Sequence, residues 1–266
     1  MWWQQSAPSS IILDLGPIKI HWYGICLVLG LSAALVVIIK EAGRRQLDLD
    51  KLYNLLFYLI VFGFIGARLW EVLIYSWSYF KVNPLAIFKI WQGGLAIHGA
   101  LLGGVITLLV WLRHKRELWR QYFDLLVLGL PLGQAIGRWG NYFNQELFGL
   151  PTASWLGIYI QEPFRPLALV GFITFHPVFL YESLLLLLLF FCLYRYRTNL
   201  GLGRLFGGYL LGYGLIRFGL EFIIVDEVGS FLGCRVPQIV SLIMILIGAV
   251  LLLPKKDKSA TISPLS

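Results

Sequence analysis

This sequence has little charge and few cysteines. Charged residues make up 14% of the 266 positions, and the 3 cysteines include no CxxC pair. That spacing predicts neither a disulfide framework nor a zinc site. The sequence also lacks an HExxH string and a pair of aspartates within its apolar runs, which argues against an intramembrane protease. The chemistry must therefore be sought among the few charged residues that are present.

Apolar residues are abundant instead. They make up 58% of the chain, and the mean hydropathy is +0.76. Seven apolar runs approach the roughly 20 residues that a helix needs to cross the hydrocarbon of a bilayer. They lie at residues 21–39, 52–74, 95–112, 121–143, 177–194, 205–224 and 236–253. The composition therefore predicts an all-α polytopic membrane protein, a bundle of about seven transmembrane helices.

The segments outside these runs have predicted roles of their own. Residues 1–20 contain two tryptophans and predict an amino-terminal interfacial arm, with a disordered tail as the alternative. Residues 21–253 form the predicted transmembrane domain, which includes an outer loop or head at about 144–176. The polar residues 254–266 predict a disordered cytoplasmic tail.

Basic residues are distributed unevenly among the loops. Loops one, three and five and the tail carry 14 of the 22 lysines and arginines, and loops with such an excess face the cytoplasm. The amino terminus is then outside and the carboxyl terminus inside. The net charge of +8 thus reflects membrane orientation, and we expect no nucleic-acid binding. The 14 residues are Lys40, Arg44, Arg45, Lys51, Arg113, Lys115, Arg116, Arg120, Arg195, Arg197, Arg204, Lys255, Lys256 and Lys258.

Several polar and ionisable residues of the spans fall at a similar depth, in the outer leaflet. A charged side chain near the bilayer centre costs about 2.5 to 3.5 kcal/mol on insertion scales, so each one requires a reason. Their shared depth predicts a polar site for a lipid headgroup or an exported substrate. For the arginines of the second and fourth spans, the alternative is that they snorkel to the interface. The residues are Tyr23, Arg68, His98, Arg138, His176, Tyr181, Arg217 and Glu221.

The sixth span carries a polar stripe. YGLIRFGLE places Tyr213, Arg217 and Glu221 at i, i+4 and i+8, on one face of a helix. Arginine binds a carboxylate or a phosphate through a planar fork, and a glutamate one turn away can hold that fork in place. A structural ion pair is the alternative. Glu182, near the start of the fifth span, is predicted to be stabilised by the helix dipole.

Two histidines are candidates for proton transfer, because histidine titrates near neutral pH. His98 lies between paired glycines in WQGGLAIHGALLGG, and a structural role at the interface is its alternative. His176 opens HPVFLYES, where capping of the following helix is the stronger interpretation.

The stretch GRWGNYFNQELFG, residues 137–149, concentrates polar residues beside the fourth span. Its helical periodicity weakens after Tyr142, which predicts a broken or re-entrant region. Irregular backbone at membrane depth is tolerated where it is buried in protein or lines a wet cavity, so Asn141, Asn144 and Glu146 are expected to face a cavity. These features indicate a membrane enzyme, or alternatively a transporter with an outer-leaflet anion-binding pocket. The apolar inner halves of spans one, three, five and seven favour the enzyme.

The same stretch resembles the Gly-Arg-x-Gly-Asn-x-x-Asn-x-Glu-x-x-Gly signature of the prolipoprotein diacylglyceryl transferase family. The family pattern differs at two positions, where this chain has Ala100 and Val178, and the second lessens the weight of His176. Other motifs extend the likeness over nearly the whole chain. They are HWYG at 21–24, GARL at 66–69, GG…HG around His98, PLGQAIGR at 131–138, HP…LYE at 176–182 and YG…RF…E at 213–221.

The resemblance implies transfer of the diacylglyceryl group of phosphatidylglycerol to the lipobox cysteine thiol of exported prolipoproteins. This reaction releases glycerol phosphate, uses no metal or cofactor, and is the first step of bacterial lipoprotein maturation. It implies a multi-pass protein of the bacterial plasma (inner) membrane whose active site faces the outer leaflet.

The resemblance also suggests roles for individual residues. His98 is the first candidate for the general base, with Tyr23 or a carboxylate as alternatives. Arg138 and Arg217 are expected to hold the phosphate. Glu146 and Glu221 are expected to orient those arginines, and Asn141 to bond to headgroup or backbone. Tyr213 is expected to act in catalysis, and Gly149 to keep the pocket open. The residues expected to bind substrate are Arg68, Asn144, Tyr181 and His176.

Overall fold

The computed structural model describes residues 2–16, 19–90, 93–113, 118–226, 228–231 and 233–253, and the predicted tail at 254–266 lies outside them. This part of the chain is mainly helical. Its α-helices are α1 (Trp22–Arg44), α2 (Leu49–Trp70), α3 (Trp77–Val82), α4 (Ile97–Leu112), α5 (Trp119–Asn144), α6 (Val178–Tyr196), α7 (Arg204–Leu220) and α8 (Val236–Leu252). Each predicted run coincides with one of these helices, and the predominantly helical fold is confirmed.

Three of the described helices are long and apolar enough to cross a membrane. They are α1, α2 extended by the π-helical turn Glu71–Tyr75, and α6. The helices α4 and α8 are apolar but shorter, and α5 contains Pro131 and several charged residues. The apolar helices give the protein its membrane character, while the count of seven spans and their orientation stay predictions.

Three short antiparallel hairpins accompany the helices of the described residues, and the sequence did not predict them. Their strands have two to four residues, which is too short for an alternating pattern to be recognised in the sequence. The first hairpin and a 3-10 turn at Trp2–Gln4 fall within the predicted interfacial arm. The pairs are β1 (Ile11–Asp14) with β2 (Lys19–His21), β3 (Ile158–Tyr159) with β4 (Thr174–Phe175), and β5 (Ser230–Phe231) with β6 (Cys234–Arg235).

The chain divides into two compact units, and the amino-terminal unit comprises residues 7–144. Within it, α1 packs on α5 and α2 packs on α4. Glycines permit close approach, since a Cβ added to Gly30 of α1 would lie 2.5 Å from the carbonyl oxygen of Gly133 in α5. The most deeply buried residues of its core are Ala42, Leu52, Leu55 and Leu125.

The carboxy-terminal unit comprises residues 1–6 and 145–266. Its helix α7 packs on α6 and α8. A Cβ on Gly248 of α8 would lie 2.5 Å from the backbone nitrogen of Leu211 in α7, so this pair also depends on glycine. The core beside the segment that follows α7 consists of Val178, Leu220 and Ile224.

Candidate active site

Arg68 is buried near the end of α2, where it binds the loop that precedes α4. Four of its five N–H groups donate to backbone carbonyls. Gly93 and Gly94 have φ of 88° and 78°, a left-handed conformation that glycine adopts at little cost. The arginine and the glycine pair therefore hold the loop against α2. The acceptors are the carbonyl oxygens of Ala86 (2.7 Å), Ile87 (2.9 Å), Gly93 (2.7 Å) and Gly94 (2.8 Å).

His98 is the second residue of α4 and is oriented by two aromatic side chains. Its Nδ1 lies 3.1 Å from the Tyr75 hydroxyl, and its ring stacks on Trp70 with 6.0 Å between centroids. Gly99 allows this approach, since a Cβ there would lie 2.5 Å from the Cβ of Trp70. The imidazole orientation is fixed while the side chain stays exposed.

An apolar cavity of about 770 Å³ adjoins this region, between α2 and α4. Its wall includes Trp70 and Gly99, which also flank His98, and aliphatic side chains of both helices. A cavity with this lining suits hydrocarbon better than a hydrated anion. Further lining residues are Ile65, Leu69, Leu73, Leu102 and Ile106.

The start of α1 and the end of α5 carry three predicted site residues, namely Tyr23, Arg138 and Asn141. Arg138 donates from Nη1 to Oδ1 of Asn141 at 3.5 Å, one turn along α5. Tyr23 packs on Gly140, where an added Cβ would lie 2.7 Å from the tyrosine Cδ2. Substituting this glycine would therefore push the tyrosine ring away. The amino-terminal unit thus places a phenol, a guanidinium and an amide at one end of a helix pair.

The helix of the GRWGNYFNQELFG stretch ends at Asn144, two residues after the predicted break. Gln145 and Leu147 then have φ of 57° and 54°, which is uncommon for residues other than glycine. The buried Gln145 side chain holds this turn by accepting from the backbone nitrogen of Gln161 at 2.7 Å and donating to the carbonyl of Tyr159 at 3.1 Å. The break is therefore a hydrogen-bonded turn.

Gly149 lies among backbone segments of the carboxy-terminal unit. Its N–H donates to the carbonyl of His176 at 2.8 Å, and a Cβ there would lie 2.8 Å from the carbonyl oxygen of Ile223 and 2.9 Å from Val178. The glycine is thus required for packing between these segments. The neighbouring His176 bonds through Nδ1 to the Tyr181 hydroxyl at 3.0 Å, which pairs two predicted substrate-binding residues.

Arg217 of α7 is held between two carboxylates. Its Nη2 lies 3.0 Å from Oε2 of Glu221, and its Nη1 lies 3.2 Å from Oε2 of Glu182 on α6. Both glutamate side chains are fully buried, whereas the arginine side chain is 16% exposed. The predicted i, i+4 contact between Arg217 and Glu221 is present, and the guanidinium has a defined orientation.

The network extends beyond α7 to a second arginine. Oε1 of Glu221 accepts from Nε of Arg235 at 2.8 Å. Arg235, at the start of α8, also pairs with the carboxylate of Asp226. In the described residues, five side chains of alternating charge are therefore linked. Their order is Glu182, Arg217, Glu221, Arg235 and Asp226.

Three of these residues were not among the predicted site residues. Glu182 is in the HPVFLYES motif, but the only role predicted for it was stabilisation by the helix dipole. Asp226 and Arg235 both precede the last predicted span, and no periodicity connects them to α7. Only proximity in the fold identifies them.

The other predicted site residues have more varied surroundings. Tyr213 stacks on Tyr209 with 5.7 Å between ring centroids and 2° between planes. Asn144 is half-buried at the end of α5, and Glu146 is exposed just after it. The catalytic and substrate-binding roles of these residues stay predictions.

Known proteins resemble this chain over most of its length. A family model described as prolipoprotein diacylglyceryl transferase matches residues 10–254. Similar proteins named phosphatidylglycerol–prolipoprotein diacylglyceryl transferase occur in Nostoc sp., Symbiobacterium thermophilum and Staphylococcus carnosus. The Nostoc protein is 40% identical over 251 residues, covering 91% of this chain and 88% of its own. The Symbiobacterium protein is 38% identical and covers 91% of both chains. The Staphylococcus protein is 36% identical, covering 93% of this chain and 90% of its own.

Proposed function

The chain belongs to the prolipoprotein diacylglyceryl transferase family, and from that premise we propose that it transfers the diacylglyceryl group of phosphatidylglycerol to the lipobox cysteine of prolipoproteins. It is a membrane transferase of lipoprotein biosynthesis. The observation that carries the proposal is the family match over residues 10–254, which includes the GRWGNYFNQELFG stretch. The proposed location is the bacterial inner membrane, with the site facing the outer leaflet.

The proposed reaction is a nucleophilic substitution at the glycerol carbon that bears the phosphate. The cysteine sulfur forms a bond to this carbon, the carbon–oxygen bond breaks, and its electron pair leaves with the phosphate oxygen of glycerol phosphate. A thiol has a pKa of about 8.5, so a base that removes its proton increases the fraction of reactive thiolate. The protein must therefore supply a base and groups that stabilise the departing phosphate.

His98 is the proposed base. Its Nδ1 is within hydrogen-bond distance of the Tyr75 hydroxyl. In the tautomer that donates from Nδ1 to this oxygen, Nε2 has the lone pair needed to accept the thiol proton. Tyr23 or a carboxylate is the alternative. The apolar cavity beside Trp70 supports the proposal because it suits the acyl chains of a phospholipid.

Arg217 is the proposed phosphate ligand of the carboxy-terminal unit. Two of its five N–H groups bond to glutamates within the described part of the chain, so the other three suit a phosphate. Donors fixed before the reaction stabilise the charge that develops on the leaving oxygen. Arg138 is the proposed phosphate ligand of the amino-terminal unit, with Asn141 and Glu146 in supporting roles.

The remaining residues have different parts in the proposal. Four hydrogen bonds of Arg68 support a role in holding the loop that it binds, and its substrate-binding role stays a prediction. Tyr213, Asn144, Gly149, His176 and Tyr181 are proposed to shape the substrate surroundings.

The proposal is tested by incubating the purified protein in detergent with phosphatidylglycerol and a lipobox peptide, followed by mass spectrometry of the peptide. We expect a gain of one diacylglyceryl group on cysteine, which is absent with Arg138→Ala and nearly absent with Arg138→Lys because a point charge does not replace the guanidinium fork. No gain from a well-folded wild-type protein with varied lipids would overturn the proposal. Wild-type turnover by Arg138→Lys would overturn the two-pronged role of this arginine alone.

A further inference from the structure

Arg235 is outside the GRWGNYFNQELFG stretch and outside the polar stripe of α7, yet it binds the glutamate that orients Arg217. We propose that Arg235 is a positioning residue for the phosphate group of the lipid substrate. It fixes Glu221 and supplies the positive charge that balances the carboxylates around Arg217. The inference rests on the proposed function, since it takes Arg217 as a phosphate ligand.

Glu221 divides its carboxylate between two guanidinium groups, with Oε1 on Arg235 at 2.8 Å and Oε2 on Arg217 at 3.0 Å. The glutamate side chain is fully buried, so an oxygen that lost its arginine would have no bulk water to replace it. Without Arg235, the carboxylate is free to rotate, and the orientation of Arg217 is no longer fixed from both sides.

Arg217 contacts both Glu182 and Glu221, so this buried trio has a net charge of −1 and would repel a phosphodiester. Arg235 brings the sum to zero. Asp226 has a side chain that is 47% exposed, so solvent screens its charge more effectively. Arg235 therefore makes the surroundings of Arg217 compatible with an anion.

Arg235 is itself well anchored. Its guanidinium donates to the carbonyl oxygens of Ile224 at 3.3 Å and Asp226 at 3.2 Å, besides its ion pairs. Its backbone N–H donates to Oε1 of Gln238 in the first turn of α8. An arginine offers enough donors for all these partners together, whereas a lysine keeps the charge but not the fork.

The experiment compares Arg235→Gln and Arg235→Lys with the wild-type protein. Arg165→Gln is the matched control, because Arg165 belongs to the same unit and, within the described residues, donates to the carbonyls of Ile160 and Val170 and lies over the ring of Tyr159. Four quantities are measured in mixed micelles: kcat for phosphatidylglycerol, KM for phosphatidylglycerol, the inhibition constant of glycerol phosphate, and the inhibition constant of uncharged diacylglycerol. Melting temperatures report folding separately.

For Arg235→Gln we expect KM for phosphatidylglycerol and the inhibition constant of glycerol phosphate to rise by about tenfold, which corresponds to about 1.4 kcal/mol. Inhibition by diacylglycerol should be unchanged, because it has no phosphate. Arg235→Lys should recover part of both losses through its charge, and Arg165→Gln should change neither constant.

An unchanged inhibition constant for glycerol phosphate in Arg235→Gln would overturn the inference. So would an equal weakening of both inhibitors, which indicates a purely structural role. If Arg235→Gln does not fold, the test rests on Arg235→Lys. Wild-type kinetic and inhibition constants in Arg235→Lys would overturn the inference that the guanidinium fork of Arg235 fixes Glu221. Absence of transfer by the wild-type protein is a separate result, which refutes the proposed function.

Discussion

Arg68 and Arg217 are both largely buried arginines at helix ends, but the structure uses them differently. Arg68 donates four hydrogen bonds to the carbonyls of one loop. Within the described residues, Arg217 donates two hydrogen bonds, both to glutamates. Carbonyls consume the donors of the first arginine, while carboxylates orient the second. The number of occupied donors separates a structural arginine from a candidate ligand-binding one.

Among the variants, Arg217→Lys is expected to have the largest effect on transfer activity. Substitution by lysine keeps the positive charge but removes the fork, so transfer activity should fall by about 100- to 1,000-fold. The measurement is kcat/KM in the lipobox peptide assay, with the exposed Arg195→Lys as control. Activity within threefold of wild type would show that Arg217 resembles Arg68 in being structural.

His98→Gln should reduce kcat by about 100-fold or more, since glutamine forms hydrogen bonds but does not act as a general base near neutral pH. Tyr75→Phe is the companion variant, because it removes the hydroxyl beside Nδ1 and keeps the ring. The reduction of kcat in Tyr75→Phe should be smaller than that in His98→Gln. Full activity of a folded His98→Gln protein would transfer the role of base to Tyr23 or to a carboxylate.

Arg68→Ala should act mainly on stability. It leaves four buried or partly buried carbonyls without their donor, and the expected cost is about 3 to 5 kcal/mol. Thermal unfolding in detergent measures the loss of stability. The inhibition constant of glycerol phosphate is determined for the same variant. A weakened inhibition constant at unchanged stability would instead support the substrate-binding role predicted from the sequence.

The smallest expected effect is that of Gly149→Ala, at about 1 to 3 kcal/mol of stability. The added methyl group contacts the carbonyl oxygen of Ile223 and the side chain of Val178, so the segment must shift. Gly137→Ala is a matched control in the same stretch, since an added Cβ there meets no atom within 4 Å. Equal melting temperatures for the two variants would contradict the packing role of Gly149.

The helical part of the fold was predictable because apolar runs of this length have few alternatives. The helices coincide with those runs, and the end of α5 differs from the predicted break by two residues. The hairpins were not predictable. Strands such as Ile158–Tyr159 have two residues and are defined by a partner that is distant in sequence.

Part of the site was predictable as well. The spacing of Arg217 and Glu221 specifies a contact within one helix, and the structure contains it. The contacts of Arg217 with Glu182, and of Glu221 with Arg235, connect different helices. No spacing rule covers such pairs, because their separation depends on how α6, α7 and α8 pack.

The sequence by itself determined the membrane character, the helical runs and the family, because hydrophobic length and a long motif are local properties of the chain. Only the tertiary structure decided which arginine donates mainly to backbone carbonyls and which is held between carboxylates. The physical reason is that a guanidinium has five donors of similar strength. Their use depends on carbonyls and carboxylates that packing brings near, as the loop before α4 does for Arg68 and Glu182 does for Arg217.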